Sequence, residues 1–307
     1  MSMTDISSDL WEPLKKEERY CEGVVQSNVI FHNNRWYKFK KNKLALISLI
    51  VILIILLFAV IGPYLSQYTY SEQDLTNANQ GPSFKHWFGT DSLGRDLFIR
   101  VAYGARISLF VGMAATLVNI AVGVFYGGIS GYIGGTTDHI MMRIVDIIDT
   151  IPLVLYAIIF MVLLEPGLVS IIIALSMVYW VRMARIVRGQ VLNLKEQEFI
   201  IAAKTLGAGF SRILLRHLIP NTIGLIIVTI TMMIPEAIFI ESFLSFIGLG
   251  VSSPMASWGS LVANSIGGIR SYPYQLFFPS IAICITILAF NLLGDGLRDA
   301  FDARTRK

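Results

Sequence analysis

Three groups of charged residues in this chain could perform acid–base chemistry by their type and spacing. The first contains Asp91, Arg95 and Asp96, which lie close together in a polar segment and could form a catalytic cluster. An aspartate can also cap a short helix, and Gly94 permits a turn between these residues. We therefore interpret Asp91, Arg95 and Asp96 as an ion-pair and capping arrangement that fixes a loop.

The second group lies near the start of a predicted membrane span and contains Arg143, Asp146 and Asp149, which are spaced three apart. Charged side chains inside a membrane are costly and are usually paired. We expect an ion pair between Arg143 and Asp146 that has a structural role. A proton relay through the two aspartates is the alternative interpretation.

The third group contains Glu236 and Glu241, which lie on another predicted span together with Pro235. Carboxylates in this position are candidates for lining a substrate path. Alternatively, they could make hydrogen bonds that hold the span where Pro235 kinks it. Both interpretations remain open at this point.

The sequence lacks the signatures of several kinds of active site. It contains no GxxxxGK[ST] phosphate-binding loop and no arrangement of a nucleophile with a base. Its four histidines are scattered without metal-ligand spacing, and Cys21 and Cys284 are too far apart to suggest a disulfide framework. We therefore expect neither a bound metal nor an energy-converting site in this chain.

The composition indicates an integral membrane protein. Of 307 residues, 54% are hydrophobic and 15% are charged, whereas a soluble domain has roughly 25% charged residues. Apolar runs predict six spans, at about 44–65, 106–130, 139–164, 168–187, 222–250 and 275–295. The second span carries a glycine every fourth residue, which favours close packing inside the chain or against another subunit; these are Gly123, Gly127, Gly131 and Gly135.

The distribution of Lys and Arg predicts the orientation of the spans. Eight lie in the amino-terminal tail, seven lie in and beside the polar segment 189–221, and four lie in the carboxyl-terminal tail. The opposite side carries five, in loops that also contain acidic residues. Because positive charge favours the inner side, we expect both termini and the 189–221 segment to face the cytoplasm.

The segment 189–221, which we call the hairpin, predicts two short amphipathic helices joined by a turn at Gly207. An apolar face is expected from Phe199, Ala202, Ala203 and Leu206 in the first helix. In the second helix, Arg212 and Arg216 share the basic face, and Pro220 suits the start of the next helix. The hairpin therefore has the character of a docking surface for a soluble partner. The alternatives are an ordinary loop with a surface helix and a helix-turn-helix DNA reader.

The hairpin resembles the EAA loop of the membrane subunits of binding-protein-dependent ABC importers. That pattern has Glu-Ala-Ala, three residues, Gly and then an apolar-Pro pair, and this chain has Ala202, Ala203, Gly207 and Ile219-Pro220 in the same spacing. Ile201 replaces the glutamate, and Glu198 precedes it by three residues. Further strings from about Lys41 to the carboxyl end resemble the C-type subunit of the oligopeptide/dipeptide permease; they are KNKLALISL, FGTDSLGRDLFIR, SFIGLGVSSPMASWG and FNLLGDGLRDAFD.

This resemblance implies an all-α polytopic membrane protein with six transmembrane helices, in the type I ABC importer permease fold. It implies a tail at 1–43, a first helix and extracytoplasmic loop at 44–104, a transmembrane core at 105–298, and a tail at 299–307. The residues expected to couple the permease to its ATPases are Glu198, Ala202, Ala203, Gly207, Arg212, Arg216 and Pro220.

The resemblance also implies the partners and the place of action. The chain would form a heterodimer with a B-type permease subunit in the bacterial cytoplasmic membrane, with two ABC ATPases, an extracytoplasmic binding protein and a peptide substrate. ATP and Mg would bind the ATPases, so this chain would not itself be an enzyme, and it would contact membrane lipid but no nucleic acid. The alternatives are an importer of nickel or another small solute of the same branch, an ion-driven secondary transporter, and a membrane scaffold.

Overall fold

The computed structural model describes residues 37–251 and 253–301, so most of the two predicted tails lies outside the described residues. Within these ranges the regular elements are helical, apart from one isolated bridge between Thr90 and Asp96. In chain order, the helices are α1 (Lys43–Ile61), α2 (Leu97–Ile133), α3 (Gly135–Thr150), α4 (Leu153–Leu164), α5 (Leu168–Leu194), α6 (Glu198–Thr205), α7 (Phe210–Ile213), α8 (Ile219–Phe246), α9 (Trp258–Ser265) and α10 (Pro273–Phe301).

The predicted third span is not one helix. Instead, α3 and α4 are bent by 81° at a break around Ile151 and Pro152. Pro152 has no N–H to continue the helix, and its ring pushes the preceding residue out of the helical region; Ile151 accordingly has φ −82° and ψ 123°. Five helices in the described residues are long and apolar enough to cross a membrane, and the predicted six result when the bent pair counts as one span.

The second span begins earlier than its predicted start near residue 106. Asp96 caps the first turn of α2 by accepting a hydrogen bond from the Ile99 N–H at 3.0 Å. The two arginines in the first turns of α2 have backbone partners: Arg100 donates to Tyr70 O at 3.0 Å, and Arg106 donates to carbonyls at the end of α1. Both guanidinium groups thus reach carbonyl groups outside α2, and the helix continues past them.

The loop of residues 66–96 joins α1 to α2 and is held by a polar network. Arg95 donates to Asp91 Oδ2 at 2.7 Å, and Gly94 between them has φ +71°. His86 Nδ1 pairs with Asp96 Oδ2 at 2.8 Å, and both side chains are buried. Asp96 rather than Asp91 therefore provides the helix cap, whereas Asp91 forms a turn with Arg95.

A second contact closes the same loop on itself. The carbonyl oxygen of Asp74 lies where any side chain on Gly94 would have to stand, at 1.7 Å from an added Cβ. The Asp74 carboxylate accepts hydrogen bonds from the Thr76 and Asn77 side chains, and these bonds lower its pKa below the ordinary value. The loop is thus a compact unit, in which glycine at position 94 allows the backbone there to contact the backbone at Asp74.

The core of the bundle is the contact between α2 and α5. A Cβ added to Gly127 would lie 2.2 Å from the carbonyl oxygen of Ala184, and one added to Gly123 would lie 2.6 Å from Met183 Cβ. Of the two roles open to the glycine ladder, packing inside the chain is the one observed at these positions. Gly135 has nothing within 4 Å of an added Cβ and lies just beyond the end of α2.

The predicted ion pair between Arg143 and Asp146 is wrong. Arg185 on α5 instead bridges Asp146 at 3.0 Å and Asp149 at 2.6 Å, and Arg143 makes no ion pair in the part of the chain that the structure describes. The reason is tertiary, because α5 packs beside α3 and places one guanidinium between the two carboxylates. A second arginine of α5, Arg188, pairs with Asp138 at the start of α3.

We expect Gly127→Ala to destabilise the bundle. The added methyl group would force α2 and α5 apart, and overpacking costs about 1–3 kcal/mol. Gly189→Ala on α5 is the matched control, because it has nothing within 4 Å of the added Cβ and gains the helix propensity of alanine. Thermal unfolding of the detergent-purified protein should give a lower midpoint for Gly127→Ala alone. Equal midpoints for the two variants would contradict the assignment.

Candidate functional site

The first helix of the hairpin, α6, ends in a turn that requires glycine. Gly207 has φ +81°, its N–H donates to Lys204 O at 2.9 Å, and the Ala208 N–H donates to Ala203 O at 3.0 Å. This pair of bonds is the Schellman arrangement, in which the residue after the helix adopts the left-handed conformation. The turn at Gly207 therefore has the conformation expected from the sequence.

The apolar side of α6 is largely uncovered. Phe199 is 43% exposed and Leu206 is 87% exposed, Ala202 is exposed, and Ala203 is half-buried. The side chain that fixes α6 to the bundle is Ile200, which is fully buried among residues of α2, α5 and α8. The four residues expected to share an apolar face thus present it to the surroundings rather than to the chain's own core.

The second half of the hairpin is not a separate helix. From Phe210 the chain runs without interruption into α8, through α7 and a π-helical turn at Leu214–Leu218. This turn accommodates Pro220, which has no N–H to give to the preceding turn; the Ile219 N–H instead reaches back five residues to Leu214 O. Pro220 thus lies in the first turn of α8, as predicted, although no break separates α8 from the π-helical turn before it.

The hairpin carries charges that have no ion-pair partner among the described residues. Arg212 is exposed in α7, Arg216 is exposed within the π-helical turn, and Glu198 is exposed in the first turn of α6. Together with the exposed apolar side of α6, these residues form a mainly basic surface that another molecule can contact.

Aromatic and basic contacts fix the hairpin to the end of α2. The rings of Tyr132 and Phe210 meet edge to face with centroids 5.2 Å apart, and Lys204 Nζ lies 5.2 Å from the Tyr132 centroid. Lys195 donates to Gly131 O at 3.0 Å. A displacement of the hairpin would therefore be transmitted to α2 as well as to α8.

A cavity of about 1020 Å³ lies beside the hairpin, between α5, α8 and α10. Its wall includes Phe39 before α1, Pro220 at the start of α8 and Phe301 at the end of α10. Both ends of the described chain therefore lie at the hairpin end of the bundle, opposite the 66–96 loop.

A smaller cavity of about 560 Å³ adjoins the first and contains most of the charged groups. Arg182 lines both cavities and donates to Glu236 Oε2 at 2.7 Å, with both side chains partly exposed. Asn291 and Asp295, four apart on α10, complete this polar wall. Sequence reasoning missed Arg182, Asn291 and Asp295, although the spacing of the last two already placed them on one face of a helix.

Glu241 does not line either cavity. Its carboxylate is completely buried and accepts hydrogen bonds from Ser108 on α2 at 3.0 Å and from Ser245 on α8 at 2.9 Å. The prediction that Glu241 lines a substrate path is therefore wrong. The alternative role, hydrogen bonding that holds the span, is the one observed. Only Glu236 of this predicted pair faces a cavity.

Two protein families match long parts of this chain. A family described as "Binding-protein-dependent transport system inner membrane component" matches residues 123–307, and a family described as "N-terminal TM domain of oligopeptide transport permease C" matches residues 33–82. The matched ranges include the hairpin, both cavities and α1. Among the described residues, no group of three or more His, Cys, Asp or Glu side chains could hold a metal ion.

Individual relatives are similar over nearly the whole chain. The oligopeptide transport system permease protein OppC of Bacillus subtilis is 48% identical over 99% of this chain and 100% of its own length. The dipeptide transport system permease protein DppC of the same organism is 49% identical over 97% of this chain and 94% of its own. OppC of Escherichia coli K12 is 44% identical over 95% of this chain and 99% of its own length. This chain therefore belongs to the family of binding-protein-dependent transport system inner membrane components.

Proposed function

We propose that this chain is a membrane subunit of an ATP-driven peptide importer and forms half of the translocation path. The relatives' names specify oligopeptide and dipeptide transport, and their similarity extends over nearly all of this chain. The observation that carries the proposal is the uncovered face of α6, because a membrane subunit without an ATPase site of its own needs such a contact to receive energy.

The partners follow from the same proposal. Two ABC ATPases on the cytoplasmic side supply energy from ATP and Mg, a related B-type permease subunit completes the path, and an extracytoplasmic binding protein delivers the peptide. The hairpin end is cytoplasmic in this arrangement, since the Lys and Arg residues concentrate there and in the two tails. The α5–α8–α10 cavities then open towards the interface with the second permease subunit.

The ATPases are coupled to the translocation path through the continuous helical stretch that runs from the hairpin into α8. The exposed apolar side of α6 docks in a cleft of an ATPase, while Arg212 and Arg216 lie beside it for contacts with acidic groups. Closure of the two ATPases displaces the hairpin. Because the π-helical turn leads directly into α8, the displacement reaches the Arg182–Glu236 pair at the cavity.

Gly207→Val should uncouple transport without preventing membrane insertion. A left-handed conformation costs a residue with a Cβ about 1–2 kcal/mol, which shifts a two-state balance by about 5- to 30-fold. Gly209→Val is the matched control, because Gly209 has φ −71° and ψ 166°, which valine readily adopts, and both sites have open space for a Cβ. Peptide uptake and transport-linked ATPase activity should fall in the first variant only; parental rates in Gly207→Val would refute the role of the turn.

Leu206→Glu should release the ATPase subunits. Burial of a leucine contributes about 1.5–3 kcal/mol, and its loss weakens association by about 10- to 150-fold. Leu75→Glu provides the control, since Leu75 is 70% exposed on the 66–96 loop at the opposite end. The measurement is the ATPase that co-purifies after mild detergent extraction. Undiminished recovery with Leu206→Glu would place the docking face elsewhere.

Glu236→Gln should change the preference of the importer for peptide charge. One unit charge acting at about 4 Å in water contributes about 1 kcal/mol, so uptake of cationic peptides relative to neutral ones should fall about fivefold. Glu241→Gln should leave this ratio unchanged, because Glu241 is fully buried. Competition uptake assays with matched peptides measure the ratio. An altered ratio in Glu241→Gln alone would show that the path runs elsewhere.

A further inference from the structure

A short turn in the 66–96 loop exposes large aromatic side chains. Phe84 is completely exposed at 104%, Trp87 is 51% exposed, and Lys85 between them is also exposed. We call residues 83–87 the aromatic turn. Burial of such side chains is favourable, so an occupant that covers the aromatic turn would be stabilising.

The aromatic turn is held rigidly by the loop beneath it. The Ser83 N–H donates to His86 O at 2.8 Å, and the His86 N–H donates to Ser83 Oγ at 3.1 Å. The His86 ring stacks on Tyr68 with centroids 4.8 Å apart and pairs with the carboxylate of Asp96, the N-cap of α2. The exposure of Phe84 is therefore a fixed feature of the fold and not the result of a loose chain end.

The length of α1 places the aromatic turn at a membrane surface. With the 3₁₀ turn that follows it, α1 covers 22 residues from Lys43 to Tyr64. At 1.5 Å per residue this corresponds to about 33 Å, which matches the hydrocarbon thickness of about 30 Å. The Trp87 ring meets the Phe98 ring at 4.7 Å, and Phe98 meets Phe58 near the end of α1 at 5.5 Å.

Other side chains at this end of α1 have the composition of a membrane–water interface. Tyr64 is 78% exposed and lies 5.2 Å from the Arg106 guanidinium, and Phe277 at the start of α10 is 56% exposed. Aromatic rings near basic groups are typical of the headgroup level of a bilayer. Exposed apolar residues such as Leu53 and Leu57 continue the same surface down α1.

This continuity favours lipid over a protein as the occupant. The exposed side of α1 is a run of aliphatic side chains of the kind that lipid tails cover, and the aromatic turn lies directly beyond its end. The cavities expected to adjoin the second permease subunit lie instead between α5, α8 and α10, with α1 itself absent from their walls.

We infer that the aromatic turn is a lipid anchor. Phe84 and Trp87 enter the interfacial layer of the bilayer, and the Lys85 ammonium contacts phospholipid phosphates. Through the His86–Asp96 pair, the anchor fixes the height of the first turn of α2 relative to the membrane. This assignment does not depend on the substrate or on which side of the membrane the loop occupies.

A spin label at the aromatic turn tests the inference. Cys21 and Cys284 are replaced by serine, and Phe84→Cys is labelled in the full transporter complex in phospholipid nanodiscs; the spectrum of the identically treated cysteine-free background is subtracted. Gln73→Cys, an exposed polar position of the same loop, is the control. Phe84 packs on nothing, so its replacement leaves the fold intact.

The readout is collision of the label with oxygen, which concentrates in lipid, and with a water-soluble nickel chelate. We expect oxygen to dominate at position 84 and nickel to dominate at position 73. Equal access of nickel to both positions would overturn the inference, because the aromatic turn would then lie in water. Low access of both reagents at position 84, or a loss of access that appears only when the binding protein is added, would also overturn it, because a protein would then be the occupant.

Discussion

The close approach of α2 and α5 is the constraint on which the other features of this structure depend. Inside a membrane there is little hydrophobic gain from bringing two helices together, so close packing between backbones must supply the attraction. Gly123 and Gly127 permit this approach, and Gly131 extends it to Arg188 O. Because the two helices meet along this line, the end of α2 lies where Tyr132 can contact the hairpin and where the arginines of α5 face α3.

The charges of the bundle are compensated between helices rather than within them. Arg185 joins α5 to α3, Arg182 joins α5 to α8, and Glu241 joins α8 to α2 through serine hydroxyl groups. Charged groups inside a membrane are costly and are usually paired in this way. The compensation also separates two classes of acid on α8: Glu241 is enclosed and fixed, whereas Glu236 remains accessible from a cavity and can respond to a charged solute.

Features that depend on local sequence could be predicted, whereas those that depend on a neighbouring helix could not. The apolar runs gave the spans, and Gly207 gave the turn of the hairpin, because both follow from the properties of consecutive residues. The partner of Asp146 is Arg185, which lies far along the chain, so spacing alone pointed to Arg143.

The same distinction explains the candidate site. Periodicity identified an apolar face on α6, but it gave no information on whether the chain itself covers that face. The burial of Glu241 and the exposure of Glu236 likewise depend on where α2 packs, although both acids occur in similar apolar surroundings in the sequence. The sequence showed a proline at position 152 inside the predicted third span. The 81° bend between α3 and α4 is a property of the folded chain.

The π-helical turn at Leu214–Leu218 has a consequence for where this chain could change its length. One residue added to a regular helix rotates everything beyond it by about 100°, so an insertion in α8 would turn the cavity wall away from its neighbours. A π-helical turn already contains such an extra residue in a form that the backbone tolerates. Deletion of one residue at this turn would convert it to regular α-helix and leave the hairpin and the cavity wall of α8 in their present register.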